Sequence, residues 1–280
     1  MPTDSQNILS GACDLIDEAL PDTQTIGKAP HYKHKDACLK LKSRPEGFNA
    51  DALIKRLYRR IEENWRTRRL QRNPSQENWR WKCCTEYKTK SLEVNREREM
   101  IKAHLESLKE GQLPRWANQI PVASGLLGSF SDKRRAVDLA HRCEVPEHHS
   151  DTCYALIELK IKSNTPLYAA FEILLYGLLF VFSRCNREVL KYDIVRQPLL
   201  WADRLHLRVL APPGYYDKRS YKLDWLEKDL NKAISRFARR KAGVEMDFSF
   251  WECCDELPPA TRDVPSAWLR YWELGKNVKW

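Results

Sequence analysis

No Cys-x-x-Cys pair occurs in the 280 residues. The nine cysteines are odd in number and include two adjacent pairs, Cys83-Cys84 and Cys253-Cys254. That pattern excludes the even, regularly spaced disulfide framework of small secreted chains, and reduced thiols in a cytoplasmic protein are the plain reading. Residues Met1 to Ser5 show neither a charged start nor an apolar stretch, so no export signal is read there. No apolar run approaches the roughly 20 residues a bilayer requires. The nearest, Leu167 to Phe182, is interrupted by Glu172, and its clean part from Ile173 to Phe182 is far too short; it reads as a buried core helix, with no membrane partner. Internal repeats and low-complexity segments are also missing.

What is present supports a packed interior. Hydrophobic residues make up 42% and aromatics 10%, with ten tryptophans, so intrinsic disorder is excluded. Lys and Arg number 48 against 38 Asp and Glu, a net charge of +10, and the pI is near 9.1. Such a balance attracts polyanions, nucleic acid foremost.

Periodicity divides the chain into four parts. Residues 1–28 are polar and acidic and read as a loose tail. Residues 29–90 form a basic helical extension. In it Asn49 looks like a helix cap, and Leu53, Ile54, Leu57, Ile61 and Trp65 recur at helical spacing. Residues 91–252 read as the core: a helix over about 91–108, strands near 117–123, 134–141 and 153–161, and an apolar helix opened by Thr165-Pro166. A strand at 205–210, a helix over 221–240 and a strand at 244–251 follow. Residues 253–280, broken by prolines and rich in tryptophan, are expected to pack back as a short helix. The order predicts an α/β domain with a mixed central sheet.

The chemistry concentrates between Val137 and Arg184. Successive strand residues face opposite ways, so Ile157, Leu159 and Ile161 point into a core while Glu158 and Lys160 emerge together on the other side. Asp138 lies twenty positions earlier, across a polar hairpin-length connection, and an antiparallel neighbour would set it beside Glu158. Two carboxylates can hold a hard divalent cation, and a lysine beside them can meet a polarised water or a phosphate. Burial next to cations would lower the Lys160 pKa. The bare Glu-x-Lys spacing also occurs at Glu86-Tyr87-Lys88; an apolar strand, a preceding acid and a following helix distinguish Glu158. Taken singly, Asp138 reads equally as a strand-ending residue, and Glu158 with Lys160 as a solvated pair.

The run from Asp138 through Glu158-Leu159-Lys160 into Ala169-Ala170-Phe171-Glu172-Ile173-Leu174-Leu175-Tyr176-Gly177 resembles the PD-(D/E)XK nuclease superfamily. The likeness spans about residues 91–251 and is strongest over 134–182. It implies a core of helix, three antiparallel strands, helix and further strand, and phosphodiester hydrolysis with Mg²⁺ or Mn²⁺, on DNA in preference to RNA. It also implies that Asp138, Glu158 and the main-chain carbonyl of Leu159 hold the metal and that Lys160 serves the water. An acid of the first core helix would join them, Glu97 or, one turn earlier, Glu93. Ala169, Glu172 and Tyr176 match the spacing of that family's Ala-x-x-Gln-x-x-x-Tyr pattern, but a glutamate stands where glutamine is usual. Glu172 is then either an extra metal-site acid or a hydrogen-bond partner of Lys160, and Gln119 borders the same site.

Four further readings stand beside this one. His141, Cys143, His148, His149 and Cys153 are zinc-type ligands whose spacing fits no standard pattern. The helix from Asn49 to Leu70 presents Lys55, Arg56, Arg59, Arg60, Arg66 and Arg69, either tracking a phosphate backbone with Trp65, Trp79 and Trp81 as stacking platforms or simply facing water. The same fold could also serve as a catalytically silent nucleic-acid-binding or scaffold module. It could equally be a subunit docking through Trp268, Trp272 and Trp280, with a homodimer or other protein partners left open.

Overall fold

The computed structural model describes residues 7–68, 75–86, 89–127, 135–143, 152–162, 164–253 and 276–279. Three short or medium helices come first: α1 (Ala12–Ala19), α2 (Lys35–Lys40) and α3 (Ala50–Arg68). They are followed by α4 (Leu92–Ser107) and the strands β1 (Trp116–Pro121), β2 (Ala136–Arg142) and β3 (Cys153–Leu159). Then come α5 (Pro166–Cys185), β4 (Arg204–Ala211), the single turn α6 (Pro213–Tyr216), α7 (Asp224–Ala242), β5 (Glu245–Glu252) and the two-residue β6 (Lys276–Asn277).

The fold is mixed α/β around one mixed sheet in the order β1-β2-β3-β4-β5-β6. β1, β2 and β3 form an antiparallel meander; β4 runs parallel to β3, and β5 parallel to β4. Antiparallel neighbours need only turns, whereas parallel ones need a crossover, and α5 and α7 are those crossovers. α5 lies against β3 and β4, the two strands that it joins, and α7 lies against β5. On the other face α4 packs against β1 and β2.

Local sequence sets the helix starts. Asn49 caps α3 by accepting from Ala52 N at 3.0 Å, Ser91 caps α4 by accepting from Val94 N at 3.3 Å, and Thr165 caps α5 by accepting from Tyr168 N at 3.2 Å with Pro166 at the first position. Such caps each satisfy an otherwise orphaned N–H. α5 is long and apolar enough to cross a bilayer by length and composition alone, but most of it is buried against the sheet and α3. Gly177 sits where α5 crosses β4: a β-carbon there would lie 2.6 Å from Leu207 Cδ1.

The structure corrects the expected division of the chain. The first 28 residues are not a loose tail over their described part, 7–28: α1 is helical, and Ile8, Ile16 and Leu20 are buried. The acid Asp17 is buried as well, because it accepts from the backbone N–H groups of His31 at 2.8 Å and Tyr32 at 2.9 Å. Nor is α3 an appended arm. Leu53, Ile54 and Leu57 belong to the same buried cluster as Phe171, Leu207 and Phe250, and α3 packs on both α5 and α7. At the other end, Lys276–Asn277 adds an antiparallel strand to β5, while residues 254–275, where a short helix was expected, lie outside the described residues. Trp268, Trp272 and Trp280 lie outside the described residues.

Candidate functional site

The β2–β3 register pairs Leu139 with Ile157 and Ala140 with Leu156, so continuing it by one residue sets Asp138 opposite Glu158. On the other side, Asn118 pairs with Leu139 and Ile120 with Val137, which places Gln119 across from Asp138. One row of three strands therefore carries Gln119, Asp138 and Glu158. Gln119 has a left-handed backbone, φ 51°, and its side chain donates to Glu97 of α4. A non-glycine residue in that conformation inside a strand is a strained position of the kind that gathers at functional sites.

The other groups arrive from α4 and α5. Lys160 Nζ donates to Glu158 Oε1 at 2.6 Å and to Glu172 Oε2 at 3.2 Å. Tyr168, Glu172 and Tyr176 follow one another at helical i, i+4 spacing along α5, and both phenols donate to Glu172 Oε1, at 3.2 and 3.5 Å. Of the two roles open to Glu172, the geometry realises contact with Lys160. Asp138 Oδ2 accepts from the backbone N–H of Leu159 at 2.9 Å. Glu93 Oε1 accepts from Ile161 N at 3.0 Å, tying the first turn of α4 to the end of β3. Asp138, Glu158, Lys160, Glu172, Glu97, Gln119 and Tyr176 are thus brought together, and both Glu93 and Glu97 reach the same end of β3. Tyr168 escaped the sequence reading, although its place one turn before Glu172 was visible.

So many carboxylates around one ammonium have an electrostatic consequence. Burial pushes Glu97 up to about 9, helped by the charge of Asp138, and pushes Asp138 up to about 6 against the pull of Lys160. Glu158, only 3% exposed, is raised well above the usual carboxylate range by burial and by its neighbours Asp138 and Glu172. The charge of Asp138 is one cause of the rise at Glu158, so the two carboxyls feel each other across the strand pair. Lys160 departs from expectation. Burial would lower its pKa, but Glu158, Glu172 and Asp138 outweigh burial and hold it above the ordinary lysine range.

The donor set fits a hard divalent ion. It is all oxygen, and the buried Glu97 Oε1 and Glu158 Oε2 have no hydrogen-bond donor among the described residues. Asp138, Glu158 and Glu97 supply the acids, but among the described residues their carboxylate oxygens do not converge within 4.8 Å as a set of three.

A prediction follows from the raised acids. A group whose folded pKa exceeds its unfolded value stabilises fully below the unfolded pKa and loses that contribution as pH rises through the folded one. In chelator, thermal stability should therefore fall between pH 4.5 and 9, the window of Glu97. Glu97→Gln should flatten that fall in a melting series, and an unchanged slope would remove Glu97 as its source.

The basic helix meets expectation only in part. Lys55, Arg56, Arg59 and Arg66 are exposed on α3, but Arg56 is paired with Glu18 and Arg60 with Glu63 at 3.5 Å. Arg69 lies outside the described residues. Of the proposed stacking tryptophans, Trp79 is interior, and Trp65 and Trp81 are half-buried against the core. Trp79 is 0% exposed and bonded to Ser183, Trp65 packs edge-on to Phe182, and Trp81 packs edge-on to Tyr154. Of the five zinc-type residues, Cys143 and Cys153 meet, His141 stacks at 4.3 Å on the Trp116 ring, and His148 and His149 lie outside the described residues. Compared with protein families, curated proteins and solved structures, the chain matches none.

Proposed function

We propose that the protein is a metal-dependent nuclease on a PD-(D/E)XK-like scaffold, hydrolysing phosphodiester bonds of DNA in preference to RNA with Mg²⁺ or Mn²⁺. The observation that carries this reading is the meeting of Asp138 and Glu158 on adjoining strands, with Lys160 bonded to Glu158. The succession α4, three antiparallel strands, α5, then β4 parallel to β3 supports the same reading, and so does the net charge of +10.

Bound by Asp138, Glu158, Glu97 and the Leu159 carbonyl, a divalent ion supplies Lewis-acid relief of phosphoryl charge and a more acidic water. The chain's own groups do the rest. The Leu159 N–H fixes the Asp138 carboxylate, and Gln119 fixes that of Glu97. Glu172, steadied by two phenols, holds the Lys160 ammonium at the acids. From there the ammonium can donate to a phosphate oxygen or orient the attacking water. The exposed cations Lys55, Arg59 and Arg66 offer the backbone of a long substrate a place to lie.

The test is cleavage of plasmid and single-stranded DNA with Mg²⁺ or Mn²⁺, comparing wild type, Asp138→Ala, Lys160→Ala and a chelator control. Equal activity in all arms ends the nuclease reading. One observation favours a silent nucleic-acid-binding module instead: Glu158 and Lys160 are almost closed to solvent, at 3% and 5% exposure. That module would bind DNA and cut nothing.

Binding has its own signature. Replacing Lys55, Arg59 and Arg66 together by alanine should weaken DNA affinity equally across sequences. It should also reduce the slope of log affinity against log salt by about 0.9 for each phosphate that is no longer neutralised. An unchanged slope in a fluorescence titration would make α3 a plain solvated helix.

A further inference from the structure

A second cluster of ligand-type side chains lies on the opposite face of the sheet from Asp138 and Glu158. Cys153 opens β3 five residues before Glu158, an odd separation that turns the two side chains to opposite faces. Cys143 follows β2, and its N–H donates to the Cys153 carbonyl at 2.9 Å, which closes the base of the hairpin. From β4, His206 turns Nε2 to within 3.3 Å of Cys153 Sγ. The two sulfurs and a ring nitrogen of His206 all lie within 4.8 Å of one another. Both cysteines are free thiols.

We infer that Cys143, Cys153 and His206 form a binding site for a thiophilic divalent cation, zinc by preference, separate from the carboxylate site. Two sulfurs and an imidazole suit zinc and not Mg²⁺. Tetrahedral bonds of about 2.3 Å to sulfur and about 2.0 Å to nitrogen separate the two ligand atoms by about 3.5 Å, close to the gap observed. The neighbouring shell is also that of a metal-bound histidine. His206 Nδ1 is committed to Asp247 Oδ2 at 2.5 Å, which leaves Nε2 to face the sulfurs, and Arg208 holds the second oxygen of Asp247. A carboxylate behind the imidazole fixes its tautomer and orientation for coordination. Register makes this relay: Ala155, His206 and Asp247 are aligned across β3, β4 and β5.

A cysteine–histidine–aspartate nucleophile would share some of these contacts. It requires an open sulfur, and Cys153 is 4% exposed with a second thiol against it. Three protein ligands leave a fourth position for water, and the ion would staple the ends of β2 and β3 to β4.

The test is titration of the stripped, reduced, full-length protein with Co²⁺. Sulfur-to-cobalt absorption in the near ultraviolet and tetrahedral bands in the visible should saturate at about one ion per chain and be displaced by Zn²⁺. Cys153→Ser and His206→Gln should abolish the sulfur band. Asp247→Asn should weaken Co²⁺ binding about 10- to 100-fold, while Asp138→Ala leaves the spectrum unchanged. Should the cysteine variants fail to fold, wild-type protein alkylated with and without Zn²⁺ answers the same question. The half-buried Cys143 should then be protected and the exposed Cys185 not. Overturning results are no sulfur band, a Cys143–Cys153 disulfide in protein isolated without metal, or alkylation of Cys143 that Zn²⁺ does not slow.

Discussion

Asp138→Ala should lower Mg²⁺-dependent DNA cleavage about a thousandfold while leaving the protein folded. In the proposed function Asp138 is one of the carboxylates of a divalent-ion site, so its removal would forfeit several kcal/mol of transition-state stabilisation, and about 4 kcal/mol corresponds to three decades in rate. The cost to folding is small because two effects oppose each other. The Leu159 N–H loses its acceptor, worth about 1 kcal/mol, while Glu158 and Glu97 lose a neighbouring charge that hinders their own ionisation. Single-turnover cleavage alongside a melting curve separates the two quantities. Full activity in a folded Asp138→Ala protein would end the assignment of this acid to catalysis.

Trp79→Ala should destabilise the fold by about 4 kcal/mol, the range for deleting a large buried aromatic. The indole is fully enclosed, donates to Ser183 Oγ at 2.9 Å and meets Phe180 edge-on. Alanine leaves both a cavity and an unpaired hydroxyl. Urea unfolding measures the loss, and a change under about 1 kcal/mol would contradict the packing described. DNA affinity per folded molecule should not change, since a ring closed to solvent cannot stack on a base. A stacking platform would show the reverse pattern.

How much of this was legible depended on how far apart in the chain the causes lie. Asn49, Ser91 and Thr165 act within three residues, and all three helix starts stand where the sequence put them. The three strands of the meander are consecutive in the chain, which favours pairing of neighbours, so Asp138 and Glu158 were visible as a pair. The N-terminal segment was misread because its apolar residues are interrupted by Asp14, Asp17 and Glu18, and the contacts that bury Asp17 come from fourteen and fifteen residues away. His206 and Asp247 sat on visible alternating runs, Leu205-His206-Leu207-Arg208 and Met246-Asp247-Phe248. Only the parallel register of β3, β4 and β5 sets them beside Cys153, and nothing local encodes that register. The lysine was misjudged for a different reason: the number of acids around it is a property of three elements, not of its own strand.

Gly177 has a reach beyond its own turn of helix. Leu207 is fully enclosed and fills the space that a methyl at 177 would claim, so the missing side chain governs how low α5 can ride over β4. Glu172 and Tyr176 are carried on that same rigid rod. The clearance between helix and sheet, and with it the height of Glu172 above Lys160, is therefore set by a residue with no chemistry of its own.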